Sequence, residues 1–285
     1  MLKSELERFV SEDLGEWDDS SAIVPEIEAE AVVVVREDCV ISGLSEAKEV
    51  FGHFGAIADA AFDEGEFVPA GSEVLYVRGN ARGILQAERL ALNFMARMSG
   101  ISTLTRECVL SAATAGDERS VRIASTRKTT PGFRLYEKKA VLLGGGDPHR
   151  YNLSGAVLIK DNHLKLLGLE ECLRRARRQT SFTKKIEVEV ESLEEMLRAA
   201  ELGADIIMFD NMPPAEICNG VRILQERGLR DDVLLEASGG ITLENLGSYA
   251  ATGVDVISLG ALTRDARWID MSLEMEAGST EANRG

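Results

Sequence analysis

No apolar run in the sequence approaches the roughly 20 residues that a membrane-spanning helix needs, and the longest lies around Ala31 to Val35. The N-terminal stretch MLKSELERFVSEDLGEWDD is charged and amphipathic, with neither the apolar segment nor the cleavage site of a secretory signal. Both absences point to a cytoplasmic protein. Cysteine is scarce and scattered: Cys39, Cys108, Cys172 and Cys218 form no Cys-x-x-Cys and no Cys/His pair at metal-ligand spacing, so they read as buried or idle thiols. Basic charge is also in deficit. Against 48 acidic residues stand 32 lysines and arginines, a net charge of -16, which argues against duplex nucleic acid as the main partner because phosphate backbones attract basic surfaces. There is no internal sequence repeat.

What is present is enough for a substantial core. With 285 residues, 45% of them hydrophobic, the chain reads as globular and has room for one large or two ordinary domains. Helical spacing runs from Met1 to Glu16 along Leu2, Leu6, Phe9, Val10 and Leu14. The segment Ala29 to Ile41 reads as strand, turn, strand, and a helix follows from Ser45 to Phe54 with Ser42 or Ser45 as candidate cap. A further strand is clearest at Glu73 to Val77, and a long helical pattern runs from Asn80 towards Gly100. These elements predict a small mixed domain ending near Ser102 to Arg106.

Beyond it the rhythm changes. Strand-like runs at Val121 to Ala124, Ala156 to Ile159, Lys185 to Val190, Asp205 to Phe209, Val233 to Leu235 and Val254 to Leu259 alternate with helical patterns, the signature of parallel βα units. An open doubly wound sheet and a closed barrel both alternate in this way, so the polar residues must decide. Nearly every strand ends in a reactive or phosphate-friendly group: Arg127 and Lys128, then Lys160, Glu189, Asp210, Ser238-Gly239-Gly240 and Gly260-Ala261. Function spread over the C-terminal ends of nearly all strands marks a barrel, whereas an open sheet concentrates it at one switch point. The barrel is therefore expected.

Within Lys185 to Glu191, period two puts Lys185, Glu187, Glu189 and Glu191 on one face and Ile186, Val188 and Val190 on the other. The aliphatic face suits a helix shell, so the charged face should point inward. Buried carboxylates need a partner or a cation. Lys185 and Glu187 are expected to form a structural pair low in the barrel, leaving Glu189 near the mouth beside Asp210, a carboxylate pair suited to Mg²⁺. The last two βα loops, at Ser238-Gly239-Gly240 and Gly260-Ala261, offer backbone N-H groups and helix N-termini to a phosphate.

A chain with so acidic a balance nonetheless gathers Arg127, Lys128, Arg134, Lys138, Lys139, His149, Arg150, Lys160 and His163 between 122 and 164, interleaved with Gly144 to Gly146. Arginine offers a planar fork to carboxylates and lysine a compact charge to phosphates, so this stretch is expected to hold an anion. Of the histidines, His149 reads as a ligand contact, His163 as either structural or part of the site, and His53 as structural.

The motifs STRKTTPGFR, GGGDPHR, LIKDNH, EVEVES, FDN, EASGGI and GAL, in this order and spacing, resemble the quinolinate phosphoribosyltransferase family from about Gln86 to Asp270. The resemblance implies an α/β protein with an N-terminal α/β sandwich domain over 1–105 and an incomplete parallel α/β barrel over 106–270. Residues 271–285 would pack back on the first domain. It implies a homodimer with active sites between subunits. Residue by residue, it assigns Arg127, His149 and Arg150, with Thr126 beside them, to a pyridine dicarboxylate, joined by Arg89 of AERLALN from the neighbouring subunit. Lys128 and Lys160 match lysines near the diphosphate and substrate carboxylates, and Glu189 and Asp210 match carboxylates at the ribose and Mg²⁺. Ser238, Gly239 and Gly240 with Leu259, Gly260 and Ala261 match the 5-phosphate site. The chain departs from the family's pattern at EDLGEWDDSS and at Asp147-Pro148.

The implied reaction joins quinolinate to 5-phosphoribosyl 1-diphosphate, giving nicotinate mononucleotide, diphosphate and carbon dioxide. Other readings of the same residues are a paralogue acting on nicotinate or another ring acid, a Schiff-base aldolase using Lys160, and a phosphosugar-binding protein without activity. No nucleic acid and no membrane partner is expected.

Overall fold

The computed structural model describes residues 1–16, 18–115 and 121–276. Trp17 of EDLGEWDDSS and the segment 277–285 lie outside the described residues. The chain forms two compact units, Met1–Thr103 with the stretch from Ala266, and Leu104–Asp265. No helix among the described residues is long and apolar enough to cross a membrane.

The first unit opens with α1 (Lys3–Leu14), β1 (Glu28–Val35), β2 (Cys39–Val40), α2 (Leu44–His53), β3 (Ile57–Ala60), β4 (Phe67–Val68) and β5 (Glu73–Asn80), and then α3 (Ala81–Ala115) begins. The β-branched run Val32 to Val35 is buried along β1, as stiff side chains on a pleated surface favour. The run Cys39 to Ile41 does not fold back on β1. Both edges of β1 are taken, by β5 on one side and on the other by a C-terminal strand, residues 271–276, so β2 pairs with β4 instead. Neither Ser42 nor Ser45 caps α2. Its N-cap is Gly43, and the Glu64 carboxylate accepts the N-H groups of Gly43 and Ser45, both at 3.0 Å.

Helix α3 does not stop at Gly100 but continues through it for 35 residues in all. The glycine is there for close approach: a Cβ at Gly100 would lie 1.8 Å from the Arg267 carbonyl oxygen.

In the second unit the elements are β6 (Arg122–Ala124), α4 (Arg134–Leu143), β7 (Val157–Ile159), α5 (Asp161–Leu167), α6 (Leu169–Gln179), β8 (Ile186–Val190), α7 (Leu193–Glu201), β9 (Ile206–Asp210), α8 (Pro214–Glu226), β10 (Leu234–Ser238), α9 (Leu246–Ala250), β11 (Val256–Ser258) and α10 (Ala261–Arg264). The C-terminal strand is then β12 (Met271–Glu276), antiparallel to β1. The second sheet is parallel, in the order β6-β11-β10-β9-β8-β7. From β7 each strand is laid beside its predecessor in one direction until β11, which returns to β6. That is the strand order of a barrel open at one seam, between β6 and β7, with no reversal of the doubly wound kind.

The aliphatic half of the alternation lies outward: Val188, Val190, Ile207, Phe209, Leu235, Ala237 and Ile257 are all 0% exposed. Ladder partners in a parallel sheet share a face, so Glu189, Met208 and Glu236 form one row, and Asp210, Ser238 and Ser258 the row above it.

Candidate active site

Those two rows form one wall of a cavity of about 270 Å³ inside the second unit, lined also by Ser125, Thr126, Arg127, Lys128, His149, Arg150, Leu158 and Lys160. Thr126, Arg127, Lys128, Lys160, Glu189, Asp210 and Ser238, from the ends of five strands, are thus brought together with His149 and Arg150 from the segment between α4 and β7. Of the remaining candidates, Gly239 and Gly240 lie in the loop that follows β10, Gly260 follows β11 as the N-cap of α10, and Ala261 is the first residue of that helix. Leu259 is buried, and its N-H donates to the Ala124 carbonyl at 2.9 Å, extending the sheet. Arg89 is an exposed residue of α3 in the first unit.

The loop after β6 is held from several sides. Thr126 Oγ1 accepts the Lys128 N-H at 3.1 Å, and Thr263 Oγ1 donates to the Lys128 carbonyl at 2.7 Å. Arg134 donates to Thr129 Oγ1 at 2.8 Å, and Thr130 donates through its N-H and its hydroxyl to Glu137, both at 3.0 Å. Within this fixed loop the Arg127 Nε is buried with no hydrogen-bond partner. A buried guanidinium donor left open on a cavity wall is expensive unless an acceptor arrives.

Lys160 closes β7, and its Nζ donates to Glu189 at 2.5 Å. Its N-H donates to His163 Nδ1 at 3.0 Å, so His163, exposed and absent from the cavity wall, serves the start of α5. His53 is exposed at the end of α2 and packs edge-on against Phe54.

Lys185 does not pair with Glu187. It stands just before β8, exposed, 3.7 Å from Asp205. Glu187 instead lies under His149 with Glu236: the His149 Nε2 is 3.3 Å from one Glu236 oxygen and 4.0 Å from one of Glu187. Neither Glu187 oxygen, nor Oε1 of Glu236, has a hydrogen-bond partner. Burial, then the charge of Glu236, pushes the Glu187 carboxyl up to about 7. For His149 burial lowers the pKa, but the hydrogen bond and charge of Glu236, with Glu187 behind it, prevail and raise it above the ordinary value. Glu236 was not singled out in the sequence. The signal was available, because the alternation that exposes Glu189 inward also puts Glu236 and Ser238 on one face of β10.

Residues 18–99 match the family Quinolinate phosphoribosyl transferase, N-terminal domain, and residues 101–274 match Quinolinate phosphoribosyl transferase, C-terminal domain. The chain belongs to the quinolinate phosphoribosyltransferase family. It is 48% identical over 246 residues to the probable nicotinate-nucleotide pyrophosphorylase [carboxylating] of Methanothermobacter thermautotrophicus, covering 86% of this chain and 88% of that one. It is 39% identical to the Rattus norvegicus nicotinate-nucleotide pyrophosphorylase [carboxylating], covering 94% and 89%. The structure of the nicotinate-nucleotide pyrophosphorylase from Francisella tularensis superposes with a TM-score of 0.89 at 34% identity, over 97% of this chain and 98% of that one.

For a phosphoribosyltransferase of this family the carboxylates divide into two kinds. Glu189 and Asp210 line the cavity as oxygen-only donors, the set a hard divalent cation takes. His149, Glu187 and Glu236 bring ligand-type atoms within 4.8 Å of one another, but a histidine in the set and a Glu187 held up near 7 make it a poor host for such a cation.

Proposed function

We propose that this enzyme joins quinolinate to 5-phosphoribosyl 1-diphosphate and releases nicotinate mononucleotide, diphosphate and carbon dioxide, working as a cytoplasmic homodimer. The observation that carries the reading is the unpartnered, buried Arg127 donor on the wall of a cavity that also presents His149, Arg150, Lys128 and Lys160. Such a site is built for an acceptor bearing more than one anionic group. Arg127, with Thr126, His149 and Arg150, receives the two ring carboxylates, and Arg89 of the neighbouring subunit completes the set. Lys128 and Lys160 face the diphosphate, while the loops at Ser238 to Gly240 and Leu259 to Ala261 take the 5-phosphate.

Glu189 and Asp210 would hold Mg²⁺, which when bound offsets charge on the leaving diphosphate. The same two carboxylates stand beside a ribose that becomes cation-like as diphosphate departs, and their negative charge favours that state. The ring nitrogen then attacks the ribose carbon. Once alkylated, the positively charged ring holds at its 2-carbon the electron pair that the departing carboxylate leaves as carbon dioxide. Water or a lysine then supplies the proton to that carbon, so decarboxylation itself needs placement more than a protein acid or base. The Lys160 amine is engaged by Glu189 rather than standing in an apolar pocket, which disfavours a Schiff-base role.

Incubating the protein with Mg²⁺, 5-phosphoribosyl 1-diphosphate and quinolinate should yield nicotinate mononucleotide. Nicotinate should turn over far more slowly, because it leaves buried donors unpaired. Equal turnover of nicotinate would overturn the assignment. Glu189→Ala and Asp210→Ala should each lower kcat by roughly 10²-fold or more while leaving Tm nearly unchanged. Near-normal activity, or unfolding, would count against their placement at the ribose.

A further inference from the structure

Lys138, on α4, is 1% exposed and does not line the cavity. Its Nζ donates to the Pro148 carbonyl and, at 3.2 Å, to Ser125 Oγ, which itself donates to the same carbonyl at 2.9 Å. The Tyr151 ring lies 5.8 Å from the ammonium. Pro148 is the residue before His149, whose φ of 53° puts it in the left-handed region that a side chain rarely occupies without outside help.

The strap 147–151 is tied at both ends. On the β6 side, Asp147 N donates to Ile123 O at 2.7 Å, and Ser125 N to Asp147 O at 2.9 Å. The His149 N-H donates to Asp147 Oδ1 at 2.7 Å. On the α4 side, Arg134 donates to the Tyr151 carbonyl at 3.2 Å, and the Tyr151 hydroxyl donates to the Leu135 carbonyl at 3.1 Å. Lys138 supplies the tie between these ends, next to the two residues that enter the cavity.

This tie is a costly one. Burial, and then the neighbouring charge of Arg134, drive the Lys138 pKa down to about 8, with Arg127 and Arg150 adding to the fall and Asp147 opposing it. A buried base held below its ordinary value destabilises the fold wherever it remains charged. An apolar side chain of similar length would cost the core less. Folding alone does not account for an ammonium here.

We propose that Lys138 is a positioning residue for the acid substrate, fixing the Pro148 carbonyl so that His149 and Arg150 present their cations to the ring carboxylates. This rests on the reading that His149 and Arg150 bind quinolinate. Lys138→Met keeps the length and removes the donor, and Ser125 still satisfies the Pro148 carbonyl. Its Tm at pH 7 should equal or exceed that of the unaltered protein. The KM for quinolinate should rise about tenfold or more, while that for 5-phosphoribosyl 1-diphosphate stays within about twofold. Arg150→Ala is the reference arm. If it raises the quinolinate KM and Lys138→Met does not, the positioning role is wrong and the binding reading stands. If Arg150→Ala leaves the quinolinate KM unmoved, both fall together. A parallel loss of affinity for both substrates with a lowered Tm would make Lys138 structural and overturn the proposal. Should Lys138→Met fail to fold, Lys138→Leu, which also removes the donor, carries the same comparison, and failure of both to fold also overturns it.

Discussion

Glu187 and Glu236 place two carboxylates, 0% and 1% exposed, beneath a cleft otherwise rich in cations. Their neighbour His149 explains them: an imidazole desolvated at the cleft stays cationic only if negative charge lies behind it. The arrangement strains Glu187, and the sign of that strain can be read in stability. Its carboxyl is raised to about 7 in the folded protein from the ordinary 4.5 of a glutamate, so between those values the folded state holds the proton that the unfolded state has lost. Stability contributed by Glu187 is therefore present below the unfolded value and declines as pH rises through about 7. Glu187→Gln removes that decline. Thermal unfolding of the two proteins should show a Tm advantage for the variant that opens as pH rises from 4.5 to 7 and persists above it. A variant less stable than the parent at pH 8 would mean that the ionised carboxylate is supported by contacts absent from this structure. At this scale the sequence was most legible where charge broke an expected pattern, as at Glu189, and least where a three-dimensional neighbour set the role. Nothing local to Lys185 reveals that Asp205 takes it from Glu187, and nothing local to Glu236 marks it as the partner of a histidine 87 residues away.

Among the elements, the loop after β10 shows what the local glycines do. Gly239 has φ +94°, and a Cβ there would lie 2.3 Å from Asn211 Oδ1 and 2.8 Å from the Asn211 backbone nitrogen. Asn211 is itself at φ 55°, with its N-H donating to the Ser238 carbonyl at 2.9 Å, so the ends of β9 and β10 are locked together beside Asp210. Gly240, at φ +61°, would meet nothing within 4 Å. Gly240→Ala should therefore cost only the left-handed backbone strain, roughly 1–2 kcal/mol. Gly239→Ala must in addition push Asn211 away and distort the loop proposed to take the 5-phosphate. Steady-state kinetics should show the KM for 5-phosphoribosyl 1-diphosphate rising much more in Gly239→Ala than in Gly240→Ala, and equal effects would remove this loop from the phosphate site. Elements with strong periodicity were readable: α4 spans the expected Arg134 to Leu143, and the six parallel strands fall where alternation put them. What escaped were pieces fixed by tertiary contact, such as the seven-residue α5 held by His163, the pairing of β2 with β4, and the passage of α3 through Gly100.

For the whole molecule, the net charge of -16 makes a cation cluster conspicuous and leaves each cation in short supply. In the proposed site quinolinate brings two carboxylates and the diphosphate beside it would occupy the lysines, so the acid would need a further positive group. Arg89 fits that need as a contribution in trans. It is exposed on α3, whose Ile84, Leu92 and Met95 are buried, so the helix turns its apolar side inward and leaves the guanidinium for another partner. The alternative, a solvated surface arginine, predicts that Arg89→Ala is harmless. Under the trans assignment, Arg89→Ala and Lys160→Ala homodimers are each nearly inactive, because every site in either dimer carries one lesion. Mixing the two and allowing subunit exchange creates dimers in which one site draws Lys160 from the first chain and Arg89 from the second, both intact, while the opposite site carries both lesions. Activity should then return in proportion to the mixed dimer, measured by differential tagging of the two chains. If exchange is verified and the mixture stays as inactive as its parents, Arg89 acts within its own subunit or outside the site altogether.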